Sequence, residues 1–408
     1  MDAYLFLIGL CLVIIISFFT NKLARKTNIP SVLILILLGV GINQALTYFH
    51  IEPDFFNALE ILGIVGLIMI VLEAALDLEL KPEKWPIIWK SFSVALLSLV
   101  LTSLALSFII MFFKSGIQFL SALVYALPLS ILSSAIIIPS VANLGKQKKE
   151  FLIYESTFSD ILGIMMFYLI LENIHSEGVR QLSISVSGNV LATLIISVVL
   201  SFGLLYIIQN IRGEAKFFLF LAVLILLYAV GKLFHLSSLV IILMFGLLLR
   251  NHKVLLFGKL KKWLSDERIG SVFEQFSMIT TETSFLVRTF FFVVFGMTLP
   301  LMDLLNWKVW STSIIFLVFT YLIRFGLLYA FENRDTFPQT FVAPRGLISI
   351  LLFFAIPEDL KIYGFQSGVL FVVIISTSII MGWSLIFSGK RVAVSSAEDL
   401  EHPTQETI

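Results

Sequence analysis

The chain carries little charge and almost no cysteine. Of its 408 residues only 13% are Asp, Glu, Lys or Arg, while 59% are apolar and Phe alone occurs 39 times. That charged share is about half that of a soluble domain and cannot clothe a globule of this length, which excludes a water-soluble enzyme. The same apolar excess excludes a disordered chain. The formal net charge is +1, so no bulk field attracts nucleic acid. The single cysteine, Cys11, excludes a disulfide framework and a cysteine metal cluster. His50, His175, His235, His252 and His402 all fall at loops or span ends, which leaves no histidine cluster for zinc inside an apolar span. What remains is an all-α polytopic membrane protein whose first partner is the lipid bilayer.

A crossing helix needs about 20 mostly apolar residues. Thirteen stretches qualify, at roughly 3–20, 30–49, 57–78, 86–113, 118–142, 150–172, 188–210, 215–233, 235–250, 272–298, 307–332, 337–356 and 364–387. A Lys-rich segment at 256–266, around Trp263, reads as an amphipathic helix lying on the membrane. The residues after Ser388 read as a short, disordered cytoplasmic tail, 389–408. The first stretch lacks a basic leader and is followed by Lys22, Arg25 and Lys26, which predicts a retained span with its N-terminus outside. With thirteen spans in that orientation, twenty Lys and Arg fall on the cytoplasmic side and five outside, as the positive-inside rule requires. Trp85, Trp89, Trp307, Trp310 and Trp383 sit near span ends, where an indole meets the headgroups.

Three arginines remain within spans: Arg288, Arg324 and Arg345. Glu73, Glu155, Asp160 and Glu282 lie within spans as well. An ionisable group at mid-membrane costs a few kcal/mol or more, so such groups pair with one another or serve a function. Three cations cannot satisfy four acids, and at least one carboxylate is left over. In the sixth span Ser156 and Asp160 stand i and i+4 on one helical face. A carboxylate beside a hydroxyl is a hard-oxygen site, suited to Na⁺ or K⁺. Burial disfavours the charged form of that carboxylate unless a cation accompanies it. A group that holds either a proton or a metal ion is the minimum device for exchange. Arg288 and Glu282 suggest an ion pair or a contact between subunits.

Two spans combine helix breakers with polar residues: Leu132-Ser133-Ser134 up to Pro139-Ser140 in the fifth, and Ala343-Pro344-Arg345-Gly346-Leu347 in the twelfth. They hold matching places in spans 1–6 and 8–13, units that begin on opposite sides of the membrane. That pattern predicts two inverted six-helix repeats with broken helices crossing at a midplane site.

These motifs resemble the monovalent cation:proton antiporter superfamily, and most closely its sodium/proton antiporter branch, which includes the eukaryotic Na⁺/H⁺ exchangers. Glu155-Ser156-Thr157-Phe158-Ser159-Asp160 resembles the Glu-Ser-x-x-Asn-Asp motif of the sixth helix. The stretch from Val71 through Glu73 to Leu78 resembles the third-helix Phe-Glu-x-Ala-Leu segment, residues 343–347 resemble Gly-Leu-Arg-Gly, and Tyr321–Arg324 resembles the eleventh-helix arginine segment. The resemblance implies residues 1–388 as one antiporter domain, with a dimerising scaffold (about 1–78 and 215–298) and a mobile core (about 86–172 and 307–387). It implies Asp160 as the proton and cation carrier. Ser156, Glu73, Ser159, Ser134 and Ser133 would assist it in holding Na⁺ or K⁺. It implies a structural Glu155–Arg324 ion pair, a homodimer, no cofactor, and a role in pH homeostasis at the cell membrane, in bacteria the inner membrane. The family's Thr-Asp-Pro appears here as Ser-Ser-Ala, and its Asn-Asp as Ser159-Asp160. Electrogenic relatives carry Asp-Asp at that point, so a single aspartate implies electroneutral exchange. A channel or uniporter on the same scaffold, or an organic-anion transporter using Arg345, are the alternatives. An intramembrane aspartyl protease would need a second deep aspartate facing Asp160.

Overall fold

The computed structural model describes residues 3–27, 30–48, 56–114, 116–172, 195–207, 222, 224–226, 228, 238–255, 266–299, 302–331, 336–362, 365 and 368–401. Its regular elements are helical: α1 (Ala3–Thr27), α2 (Ser31–Tyr48), α3 (Phe56–Asp77), α4 (Trp85–Phe113), α5 (Phe119–Ser130), α6 (Ser134–Ser140), α7 (Lys146–Glu172), α8 (Ser238–Arg250), α9 (Asp266–Met297), α10 (Trp307–Phe331), α11 (Leu347–Phe354) and α12 (Gly368–Glu401). Among the described residues, seven helices or helix pairs are long and apolar enough to cross a membrane, and the stretch Ile195–Ile207 is a shorter apolar helix. The predicted span over 215–233 and the predicted surface helix over 256–266 lie largely or wholly outside the described residues.

The helices fall into two packing groups. In one, α9 packs on α2 and α3, and α3 on α8. In the other, α4 packs on α5, α7 and α10, and α10 on α12. Small residues make the closest approaches, because apolar lipid gives helices no hydrophobic reason to associate and packing must supply it. Buried Ser91, Ser98 and Thr102 line one side of α4 at helical spacing, and Ser91 donates to the Phe151 carbonyl of α7 at 3.2 Å. Gly39 of α2 and Gly296 of α9 sit backbone to backbone, where a Cβ on either would collide with the other helix's carbonyl. The five tryptophans predicted at span ends are all exposed.

Three details depart from the sequence reading. The predicted 118–142 span is interrupted at residues 131–133, and Pro139 lies inside α6. Pro139 therefore does not mark the break; the break persists because neighbouring polar groups take up the freed backbone, as described below. The predicted 337–356 span is helical only from Leu347, with residues 342–346 non-helical. The polar segment after Ser388, expected as a disordered tail, continues α12 to Glu401.

Candidate functional site: a crossing of two broken helices

The two interruptions touch. The Ser133 N–H donates to the Pro344 carbonyl at 3.0 Å, closing one unsatisfied backbone pair across the crossing. Gly346 packs directly on Ser133: a Cβ there would strike the Ser133 side chain and come within 3.0 Å of Ile136 Cδ1. Glycine is required at 346 by this close approach, since its φ of −153° is open to any residue. Gly346→Ala is expected to lower stability by about 1–3 kcal/mol through overpacking. Thermal unfolding checks this, and adding Ser133→Gly should recover part of the loss.

α7 supplies what the broken backbone lacks. Ser159 Oγ accepts the Leu132 N–H at 2.9 Å, and Asp160 Oδ2 accepts the Ser134 N–H at 3.0 Å. Asp160 thus faces the first turn of α6, where unpaired N–H groups favour an anion. Asp160 is buried, and its Oδ1 has no hydrogen-bond partner. Among the described residues no Lys, Arg or His forms a salt bridge with it.

Arg345 answers the opposite helix end. Its Nε donates to the Leu129 carbonyl at 2.6 Å and its Nη1 to the Ala343 carbonyl at 3.1 Å, while its backbone N–H donates to Thr377 Oγ1 at 3.1 Å. A guanidinium thereby sits on the carbonyl end of α5, the negative end of that half-helix. Sequence reasoning placed Arg345 at the break but left it open as a site for an organic anion; its buried guanidinium is instead engaged with the protein's own carbonyls.

The remaining charges sort into pairs. Arg324 grips Glu155 with two prongs, Nη1 on Oε1 and Nη2 on Oε2, the latter at 2.9 Å, and also donates to the carbonyls of Gln339 and Val342. This ties α7, α10 and the second interruption together. Lys148, read from sequence as a topology signal, donates to the Phe337 carbonyl at 2.7 Å. Arg288 of α9 pairs with Glu73 of α3 at 3.0 Å. Glu282 is exposed on the outer side of α9.

Of the expected cation ligands, the structure brings Asp160 and Ser134 into contact. Ser133 lies at the same crossing. Ser156 is buried one turn from Asp160, and its hydroxyl donates to the Ile153 carbonyl at 3.2 Å, which leaves its lone pairs for another group. Two of the expected ligands have protein partners in this structure. The Ser159 oxygen accepts the Leu132 N–H and fastens the break. The Glu73 carboxylate meets Arg288. No signal in the sequence pointed to that partner, because 215 residues separate the two.

The sequence profile of the family described as "Sodium/hydrogen exchanger, transmembrane" matches residues 12–389. Among solved structures, the chain is similar to that of the sodium proton antiporter MjNhaP1 from Methanocaldococcus jannaschii at pH 8. The TM-score is 0.70 and the identity 18%, over 96% of this chain and 100% of that one. An electron-microscopy structure of the same antiporter is similar at a TM-score of 0.61 and 18% identity, over 100% of this chain and 99% of that one. At this identity the likeness is one of fold. No curated protein matches the chain in sequence.

Proposed function

The chain belongs to the sodium/hydrogen exchanger family, and from that premise we propose that it exchanges a monovalent cation, Na⁺ before K⁺, for H⁺ by alternating access around Asp160. It is a transporter and not an enzyme in this reading. The observation that carries it is the state of Asp160: a buried carboxylate at the crossing, one oxygen bonded to Ser134 and the other without a partner. A proton neutralises such a group, and so does a small cation held with the Ser134 and Ser156 oxygens. The two compete for the same charge. With neither bound, the ionised carboxylate is costly to carry through the membrane, and this suppresses a leak. One aspartate at the centre supports one proton per cation and electroneutral exchange.

The two packing groups support a core built on α4–α7 and α10–α12 moving against a scaffold of α1–α3, α8 and α9. We place the protein in the cell membrane with its N-terminus outside and C-terminus cytoplasmic, on the twenty-to-five distribution of basic residues, and as a homodimer on the family resemblance.

The test is proton flux in sealed proteoliposomes under an imposed pH gradient. Addition of Na⁺ or K⁺ is expected to collapse the gradient, choline is expected to do nothing, and the rate is expected to ignore an imposed membrane potential. Proton flux unmoved by every alkali cation across a range of pH would overturn exchange. Cation flux that carries no protons would establish a channel or uniporter instead.

A further inference from the structure

The two buried arginine–glutamate pairs differ in build. The Glu155–Arg324 pair is two-pronged and sealed, with side chains 0% and 1% exposed. Such a pair is fixed, because separating it strands a charge in a medium that cannot solvate it. The Glu73–Arg288 pair has one prong, Nη2 to Oε1 at 3.0 Å, and its side chains are 14% and 21% exposed. Arg288 Nε is anchored to the Ser284 carbonyl one turn back along α9, and the Ser284 hydroxyl donates to the Met69 carbonyl of α3, one turn before Glu73, at 3.3 Å. A one-pronged, partly open pair is one that another cation can exchange with.

Its position gives that exchange a purpose. α3 and α7 pack against each other from the two helix groups. They run antiparallel and are pinned at one end, where Tyr154 Oη donates to the Glu79 carbonyl at 2.8 Å and Lys84 bridges to Glu150 at 3.0 Å. Asp160 lies six helical residues inward from Tyr154, about 9 Å at 1.5 Å per residue, and Glu73 lies four helical residues, about 6 Å, inward from Asp77 at the end of α3, with Glu79 in the non-helical stretch beyond it. Asp77, one turn from Glu73 toward the pinned end, continues the acidic side of α3 and is exposed.

We propose that Arg288 is a tethered rival of the transported cation: it occupies Glu73 when the site holds no metal ion, and an arriving Na⁺ must displace it to gain Glu73 as a further oxygen ligand. Arg288 is thus a positioning residue that sets cation affinity and keeps Glu73 from standing as a bare charge. The assignment rests on the exchange reading above and deepens it.

The experiment uses the full chain with Arg288→Gln, Arg288→Lys, Glu73→Gln and the Arg288→Gln/Glu73→Gln double variant. Two readouts are taken: the Na⁺ concentration giving half-maximal proton flux in proteoliposomes, and the Na⁺ concentration giving half-maximal thermal stabilisation in detergent, with choline holding ionic strength constant. Arg288→Gln is expected to lower both midpoints on the order of fivefold, the low end of couplings between linked binding events. Glu73→Gln is expected to raise them. Arg288→Lys, which keeps the rival charge, is expected to stay near wild type. The double variant is expected to match Glu73→Gln, because Arg288 acts only through that carboxylate; a merely structural pair would not give this ordering. Midpoints that ignore Arg288→Gln, or that it moves equally with and without Glu73, overturn the assignment. Should Arg288→Gln not fold, Glu73→Gln against the double variant decides alone: agreement supports the assignment and a difference overturns it. Wild type that exchanges protons while its midpoints are blind to Arg288 sinks the assignment and leaves exchange standing. Sodium stabilisation with the expected ordering but no proton flux does the reverse, and neither flux nor stabilisation sinks both.

Discussion

Asp160→Asn reduces cation-driven proton flux to the level of empty liposomes while the protein still folds and elutes at the wild-type oligomeric size. The substitution preserves shape and the acceptor for the Ser134 N–H, which bonds to Asp160 Oδ2 at 3.0 Å. The crossing therefore keeps its tie to α7. What is lost is the ability to gain and release a proton and the negative charge that holds a cation. The asparagine amide also neutralises the buried site permanently, so the protein is expected to melt no lower than wild type. Flux is measured under an imposed pH gradient with Na⁺, K⁺ and choline in turn. Exchange at the wild-type rate in this variant would remove Asp160 from the mechanism, whatever the fold.

Removing one partner of the Glu155–Arg324 pair destabilises the protein more than removing both. Each side chain is wholly buried, and the contact is bidentate. Glu155→Ala leaves a guanidinium, and Arg324→Ala a carboxylate, with no counter-charge and no water; each is expected to cost about 3–5 kcal/mol. The double variant loses the attraction but buries no lone charge. It still forfeits the bonds from Arg324 to the Gln339 and Val342 carbonyls, so it is expected to fall between wild type and the single variants. Melting temperatures of the four proteins test this. A double variant as unstable as the two losses added together would mean that the pair contributes no coupling.

Some of this was open to reading from the chain. Asp160 stands out because a carboxylate in an apolar run is expensive anywhere along a one-dimensional sequence. The second interruption was legible for the same kind of reason, since Pro344 and Gly346 flank a charge that no ordinary helix would carry. The first was legible as a stretch, Leu132 to Ser140, with the resemblance pointing to Ser133 or Ser134 as the unwound crossing, while Pro139 in the same stretch is accommodated by α6. Local rules rank proline as the stronger breaker, yet the backbone opens at residues 131–133 because Ser159, Asp160 and Pro344 offer it partners there. Those partners come from elsewhere in the chain and leave no mark on the segment itself. Ser159 shows the same limit: its spacing fits a ligand, and only the structure shows its oxygen serving the backbone.

The sequence by itself determined that this is a polytopic helical membrane protein, which carboxylates lie within its apolar spans, and where the second crossing segment interrupts. Apolar length, charge and breaker residues are properties of a segment, and the bilayer penalises them one segment at a time. Only the tertiary structure decided that Arg288 takes Glu73, that Arg345 covers the end of α5, and that Gly346 must be bare against Ser133. In a low-dielectric interior every charge and every open backbone group must find a partner. Which partner it finds depends on helices brought together over 200 residues of chain, a distance at which spacing and pattern carry no information.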